Sequence, residues 1–246
     1  MATTIETYLG SGFVSVRPYA SRAPFEFVGN CSNLSLAIDE DEKTMQDYTQ
    51  PGGGKYDSVR RVTAVSLNMT WLELSVSNLM RVLYAQSRFL PAAAVTDETV
   101  LLTPGRRTLF ERMPLTVSAV TVDGTALAED AYTVTGGGIM IPDDSDIAPD
   151  TEAVVNYAAA GVDIIEALTQ SGQYWELAFE GLNEAGTGKR TNIRVHRVKI
   201  GAAQDLGFIS DDFASLEVTG DALKDSRQTL PGRSAYFRIE KERAVA

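Results

Sequence analysis

The chain is poor in the residues on which most metal, redox and nucleophilic chemistry depends. It has one cysteine, Cys31, and one histidine, His196. A lone cysteine excludes an internal disulfide framework and any cysteine-rich metal site. A histidine-dependent nucleophile would require Cys31 and His196 to meet beside a carboxylate, and no triad signature surrounds either residue. No run of 18 apolar residues occurs, so no membrane insertion is expected, and the opening Met-Ala-Thr-Thr-Ile-Glu-Thr lacks the basic and apolar regions of a signal peptide. A soluble chain that begins in the cytoplasm is the expectation. Basic charge is also in deficit: 22 Lys and Arg stand against 33 Asp and Glu, a formal net charge of -11. Such a balance repels a phosphate backbone, so specific DNA or RNA binding is not expected.

Apolar residues are plentiful, at 44% of 246 residues, enough for one large domain or two small ones. They fall with period two in several places. Leu34, Leu36 and Ile38 alternate with Asn33, Ser35 and Ala37, and Val65, Leu67, Met69 and Trp71 alternate with Ala64, Ser66, Asn68 and Thr70. Both runs predict half-buried strands with a small polar outer face. Between them, residues 39–58 form an acidic, glycine-rich stretch that reads as one long connection. Loops beyond about 12 to 15 residues are usually functional or disordered, so this one is expected to meet a partner.

A short helix is predicted next, with Ser75 as its cap and Val76, Leu79, Met80 and Leu83 on one stripe. Further strands are predicted at 174–182, 191–200, 213–220 and 235–240. In these, Glu176 and Glu180, then Ser215, Glu217 and Thr219, take the polar side, and Arg194 and His196 lie on the polar side of Ile193 and Val195. Residues 1–28, with Pro18 and Pro24, read as an arm with at most a short strand. The region 92–160 has its own turn punctuation at Pro104-Gly105, Asp123-Gly124, Gly136-Gly137-Gly138 and Pro142-Asp143-Asp144. Short alternating runs between those turns predict a small inserted β-sandwich of immunoglobulin-like type.

Sharper chemical motifs fail on spacing. The glycines before Lys55 lack the upstream glycine of a phosphate-binding loop, and Tyr56 stands where Ser or Thr should follow. The run Asp39, Glu40, Asp41, Glu42 continues into Lys43 where a calcium loop needs glycine. Glu176 and Glu180 on one strand lie roughly 13 Å apart, beyond the spacing of about 5 to 10 Å that glycosidase carboxylates use. The chain reads as a non-enzyme with no cofactor and no metal.

Gly29-Asn30 and the strand after it, the stretch Tyr48-Thr49-Gln50-Pro51-Gly52-Gly53-Gly54-Lys55-Tyr56-Asp57-Ser58, the second strand, and Ser75-Val76-Ser77-Asn78-Leu79 through Leu83-Tyr84 together resemble the major tail tube proteins of tailed bacteriophages. The insert is similar to the outer domains that some of these proteins carry. The resemblance implies a mainly β chain: a β-sandwich tail-tube domain at 29–91 and 161–242 with one flanking α-helix, the inserted outer domain at 92–160, and a tail at 243–246. It implies homo-hexameric rings, stacked into a hollow tube in the virion tail after synthesis and assembly in the host cytoplasm. Tape measure, tail terminator and tail tip proteins are the implied partners, and DNA passes through without specific binding.

On that reading the lumen-facing candidates are Asn33, Ser35, Ser66, Asn68, Thr70, Glu176, Glu180, Ser215, Glu217 and Thr219. The inter-ring candidates are Asp39, Glu40, Asp41, Glu42, Tyr48, Gly52, Gly53, Gly54, Lys55, Tyr56 and Asp57, whose acidic start would seek Arg60, Arg61, Arg190 or Arg194 on a neighbour. The outer insert implies a long non-contractile tail. The alternatives are a tube protein of a contractile tail or secretion apparatus, which shares the core architecture, and a glycan- or receptor-binding β-sandwich module.

Overall fold

A computed structural model describes residues 7–185 and 188–243. In chain order the elements are β1 (Gly10–Pro18), β2 (Glu26–Phe27), β3 (Cys31–Gln46), β4 (Lys55–Trp71), α1 (Val76–Val82), β5 (Gln86–Leu90), β6 (Ala93–Leu102), β7 (Arg107–Leu109), β8 (Pro114–Val122) and β9 (Thr125–Ala126). They continue with a 3-10 turn at Glu129–Ala131, β10 (Thr133–Thr135), β11 (Gly138–Met140), β12 (Thr151–Ala159), β13 (Val162–Glu166), β14 (Tyr174–Asn183), β15 (Arg190–Ile200), β16 (Leu216–Ala222) and β17 (Phe237–Lys241). The protein is mainly β, with several antiparallel sheets and, among the described residues, one α-helix. It divides into two compact units, residues 1–86 with 165–246, and residues 87–164. The second compares with the insert expected at 92–160.

The first unit is built on one eight-stranded sheet in the order β2-β1-β14-β15-β16-β4-β3, with β17 pairing the first part of β15. One core draws on residues from β1, β4, β14, β15 and β16 together: Val14, Val16, Leu67, Met69, Trp71, Leu177, Val198, Ile200, Leu216 and Val218 are all buried in it. The period-two runs therefore mark the faces as expected for Val65 to Trp71 and for Leu216 and Val218. In β15 the parity changes. Trp175 pairs Val198 while Leu177 pairs Val195, which inserts an extra residue into β15 and lets Ile193, Val195, Val198 and Ile200 all reach the core.

Helix α1 starts where the sequence indicates, with the Ser75 side chain accepting from the Asn78 backbone N–H at 3.2 Å. Val82 enters the core from this helix. Asn78 is buried and ties the helix to the sheet by donating to the carbonyls of Val28 at 2.7 Å and Glu73 at 3.0 Å. Gly29 sits at φ +90°, and a Cβ there would fall 2.3 Å from the Glu73 carboxyl carbon. That close approach leaves the Asn30 N–H free to donate to Glu73 at 3.1 Å.

Two sequence expectations are corrected. Residues 7–28 hold more than an arm with at most a short strand, because β1 is a nine-residue strand of the main sheet, paired along its length with β14 and burying Val14 and Val16. Pro18 closes β1, and Pro24 lies in the connection before β2. Nor is 39–58 a long loop. β3 runs on to Gln46 and β4 begins at Lys55, paired with each other throughout, so only residues 47–54 are connection. Nearly all of this extension is exposed on both faces. Alternation of apolar and polar residues signals a strand only where one face is buried, so the sequence carried no such signal here. Ile38, expected on the core face, is 54% exposed because it lies where the hairpin leaves the core. Residues 1–6 and 244–246, the latter most of the expected tail, lie outside the described residues.

The second unit contains a four-stranded sheet, β6-β12-β8-β9, and a three-stranded sheet, β10-β11-β7. They share a core of Val100, Leu102, Phe110, Val120, Ile139, Ile141, Val155 and Tyr157. The sequence runs at 115–122, 132–135, 139–141 and 153–157 correspond to β8, β10, β11 and β12. β6 gave no clean alternation because a bulge opposite Val155 and Tyr157 breaks its register, with Asp97 at φ +58°.

Candidate functional site

The β3–β4 hairpin carries the first candidate surface. At about 3.3 Å per residue, residues 39–46 extend it by about 26 Å past the pair of exposed Ile38 with buried Val65. Its turn is closed by the Asp47 N–H donating to the Gly54 carbonyl at 2.7 Å, and Gly52 and Gly53 both take positive φ. Asp47 is capped locally by Thr49, whose hydroxyl at 2.6 Å and backbone N–H at 2.8 Å lower its pKa. Glu42 is held by Lys55 and, at 3.6 Å, by Arg60. The hydrogen bonds from Lys55 and Ser58 keep its carboxyl below the ordinary range. Apolar side chains stand uncovered along the arm: Met45, Tyr48 at 88% exposure, Tyr56, Val59 and Val62. An isolated two-stranded hairpin is marginal in water, and among the described residues this one is exposed on both faces beyond its base. The inter-ring candidates Asp39, Glu40, Asp41, Glu42, Tyr48, Gly52, Gly53, Gly54, Lys55, Tyr56 and Asp57 all fall on this arm.

The second surface is the non-core face of β3, β4 and β16. Antiparallel register aligns Asn33 with Thr70 and Glu217, Ser35 with Asn68 and Thr219, and Ala37 with Ser66 and Asp221. The Thr70 hydroxyl lies 3.1 Å from both Glu217 carboxylate oxygens. The result is a field of short polar side chains with carboxylates at Glu217 and Asp221. Asp221 was missed by sequence reading, although the parity of β16 carried on from Thr219 would have found it. Ser215 precedes β16 by one residue.

Glu176 and Glu180 do not join this field. They lie on β14, which is separated from β16 by β15. Glu176 is also not a free acid. Arg17 reaches it at 2.5 Å and Arg227 at 2.8 Å, with its side chain 12% exposed. Burial alone would raise its pKa, but the hydrogen bonds from Arg227 and Arg17 lower it on balance. The same cluster contains Asp225, which accepts from the Tyr19 hydroxyl at 2.8 Å and from Arg227 Nε at 3.0 Å. Arg197 stacks over Tyr174 at 4.1 Å and Tyr19 at 5.2 Å. Sequence reasoning missed this cluster, since Tyr19 and Asp225 are 206 positions apart. Only the Asp225-x-Arg227 spacing is local.

Comparison with known families bears on the whole of this architecture. A family model described as "Protein of unknown function UCP028589" matches residues 7–240. The chain belongs to this family. The match runs through both compact units and includes the hairpin, the polar face and the Tyr19–Asp225–Arg227 cluster, so all three lie within the stretch that defines membership. No curated protein matches the chain.

The rare reactive residues of this family member are in quiet surroundings. The half-buried Cys31 thiol donates to the Gly29 carbonyl at 3.7 Å, and burial, with the nearby Glu73 charge, pushes it up to about 11. It is protonated at neutral pH and a poor nucleophile. Burial lowers the pKa of His196, with Arg238 and Arg227 acting in the same direction against Asp225 and Glu176. Among the described residues, no three or more His, Cys, Asp or Glu side chains are grouped to hold a metal ion, and no helix is long and apolar enough to cross a membrane.

Proposed function

We propose that this chain is the repeating subunit of a tube, a structural protein of a phage tail that assembles with itself into stacked, hexameric rings. In this reading the first unit is a β-sandwich of the tail-tube type and the second an immunoglobulin-like outer domain. The observation that carries the reading is the β3–β4 arm, long, paired and bare on both faces, with Met45, Tyr48, Tyr56, Val59 and Val62 exposed along it. Apolar surface held out on a hairpin is a contact awaiting a partner. The arm reaches the next ring and is covered there.

The β3, β4 and β16 face supports the same reading. Its side chains are short and polar, with carboxylates at Glu217 and Asp221, a lining that lets DNA slide without sticking. β3 is an edge strand of 16 residues. A long bare edge invites pairing, and closure into a ring removes it. Barrels of about 16 to 18 strands already enclose an aqueous channel, and six subunits contributing several strands each give a wider bore. The lumen conducts the genome during ejection, the tube's ends meet tape measure, terminator and tip proteins, and the subunit acts in the virion without cofactor or turnover. An insert on the outside of the tube obstructs a sheath, so the tail is long and non-contractile.

The test is assembly. Deleting Gln50 to Lys55, which removes the hairpin turn, should leave soluble monomers or single rings in sedimentation velocity. Tubes of normal length from that variant would overturn the role given to the arm, and a sheath seen around the subunit by electron microscopy would overturn the non-contractile tail.

A further inference from the structure

The first unit contains a cleft of about 300 Å³ whose charge is opposite to that of the chain as a whole. Arg17, Arg194, Arg227, Arg233 and Arg238 line it, in a protein of net charge -11. The two carboxylates inside it, Glu176 and Asp225, are already committed. Glu176 takes Arg17 and Arg227, and Asp225 takes Arg227, Tyr19 and Gln228. Arg238 pairs with exposed Glu240 at 3.0 Å. Arg194 and Arg233 are exposed, and their guanidiniums have no ion pair or hydrogen bond among the described residues. Five guanidiniums thus surround two satisfied acids, with two forks open to solvent.

We propose that this cleft is the receptor for carboxylates of a second copy of the same chain, supplied by Asp39 and Asp41 on one side of the base of its hairpin arm. The inference rests on the self-assembly reading and names the contact that the arm makes. Charge complementarity selects the occupant. Asp39, Glu40 and Asp41 are exposed and form no ion pair among the described residues, whereas Glu42, next in sequence, is taken up within its own hairpin by Lys55 and Arg60. Arg60, which the sequence offered as a receptor on a neighbour, is therefore engaged at home. Asp39 and Asp41, two apart on an extended strand, share one side about 7 Å apart, a spacing that suits a compact cleft. Guanidinium forks match carboxylates in bidentate geometry, which gives such a contact orientation as well as attraction. A nucleic acid fits less well: Glu176 and Asp225 sit inside the cleft and the chain's net negative charge repels a long polyanion.

Because the unpaired forks are exposed and tie nothing within the monomer, reversing them tests the contact without dismantling the fold. Sedimentation velocity at 0.15 M salt, on the full chain, would compare wild type with an acceptor variant (Arg194→Glu with Arg233→Glu), a donor variant (Asp39→Lys with Asp41→Lys), and one chain carrying all four changes. Each single-sided variant should raise the concentration needed for assembly by at least about tenfold, and the four-fold variant should recover most of that loss. Thermal melts of the monomers should stay close to wild type. If an acceptor variant melts low, Arg194→Gln with Arg233→Gln replaces it, with the same direction of effect expected.

Wild-type assembly in the acceptor variant, or a four-fold variant no better than the single-sided ones, overturns the proposal while leaving the tube reading standing. A wild type that stays monomeric at every concentration overturns both. A DNA duplex that binds wild type and is lost with Arg194→Glu and Arg233→Glu, while assembly is unchanged, assigns the cleft to phosphate instead and also overturns the proposal.

Discussion

Arg227 Nε donates to the buried Asp225 carboxylate at 3.0 Å, and this pair closes the segment between β16 and β17 against the end of β1 through the Tyr19 hydroxyl. Burial alone would raise the Asp225 pKa. Hydrogen bonds from the Arg227 side chain and backbone, from Tyr19 and from Gln228 more than reverse this and hold the carboxyl well below the usual range.

A folded-state pKa below the unfolded value of about 3.9 means that Asp225 stabilises the fold above that pH and loses its contribution as pH falls further. Urea midpoints measured from pH 7 down to pH 2 should therefore drop below about pH 4, and Asp225→Asn should flatten that acid limb. Asp225→Ala should cost about 2 to 4 kcal/mol at pH 7, because it leaves the Tyr19 hydroxyl and the Arg227 guanidinium without their acceptor. An unchanged acid limb in Asp225→Asn would contradict the assignment.

The helix is held mainly by Asn78 rather than by its cap. Ser75→Ala should cost about 1 kcal/mol. Asn78→Ala should cost about 2 to 3 kcal/mol, since it strips the donor from two carbonyls and the acceptor from the buried Arg81. Equal losses in denaturant unfolding would contradict this ranking.

In the second unit the Tyr157 hydroxyl donates to Glu98 at 2.6 Å and accepts from the Arg112 N–H at 3.2 Å. Burial, and then the Glu98 hydrogen bond, push its pKa up to about 12. The folded state thus keeps a proton that an unfolded tyrosine releases near pH 10, and this part of the stability is lost as pH rises from about 10 towards 12. Ultraviolet titration should show Tyr157 ionising late, and Tyr157→Phe should remove one tyrosine from the late part of the curve, to which Tyr19, also raised by burial and its Asp225 hydrogen bond, contributes.

Removing the arm should separate folding from assembly. A chain in which residues 41–60 are replaced by Asn-Gly should keep its melting temperature within a few degrees, because among the described residues the arm is exposed on both faces. The same chain should fail to form tubes. A large fall in melting temperature would mean that the arm supports the monomer.

The sequence revealed the strands that bury one face and hid those that do not. Val65 to Trp71 and Leu216 with Val218 announced themselves because every second residue enters a core. Residues 39–46 and 55–58 are also paired strand, yet both faces meet solvent, so composition read as loop. β6 was lost to its bulge, and β1 to the two prolines at and beyond its C-terminal end. For the surfaces, Asn33, Ser35, Ser66, Asn68, Thr70, Glu217 and Thr219 could be aligned by parity, since the strands carrying them are neighbours in the sheet. Glu176 shared their parity but not their place, because strand order cannot be read from alternation, and its pairing with Arg17 and Arg227 joins residues remote in sequence.

Electron microscopy of the purified full chain, concentrated at 0.15 M salt, tests the central claim most directly. Hollow tubes of stacked six-fold rings are expected, with Asn68, Glu217 and Asp221 turned to the channel and the β3–β4 arm lying against the next ring. Discrete monomers at all concentrations, or an assembly with this face on its outside and no central channel, would contradict it.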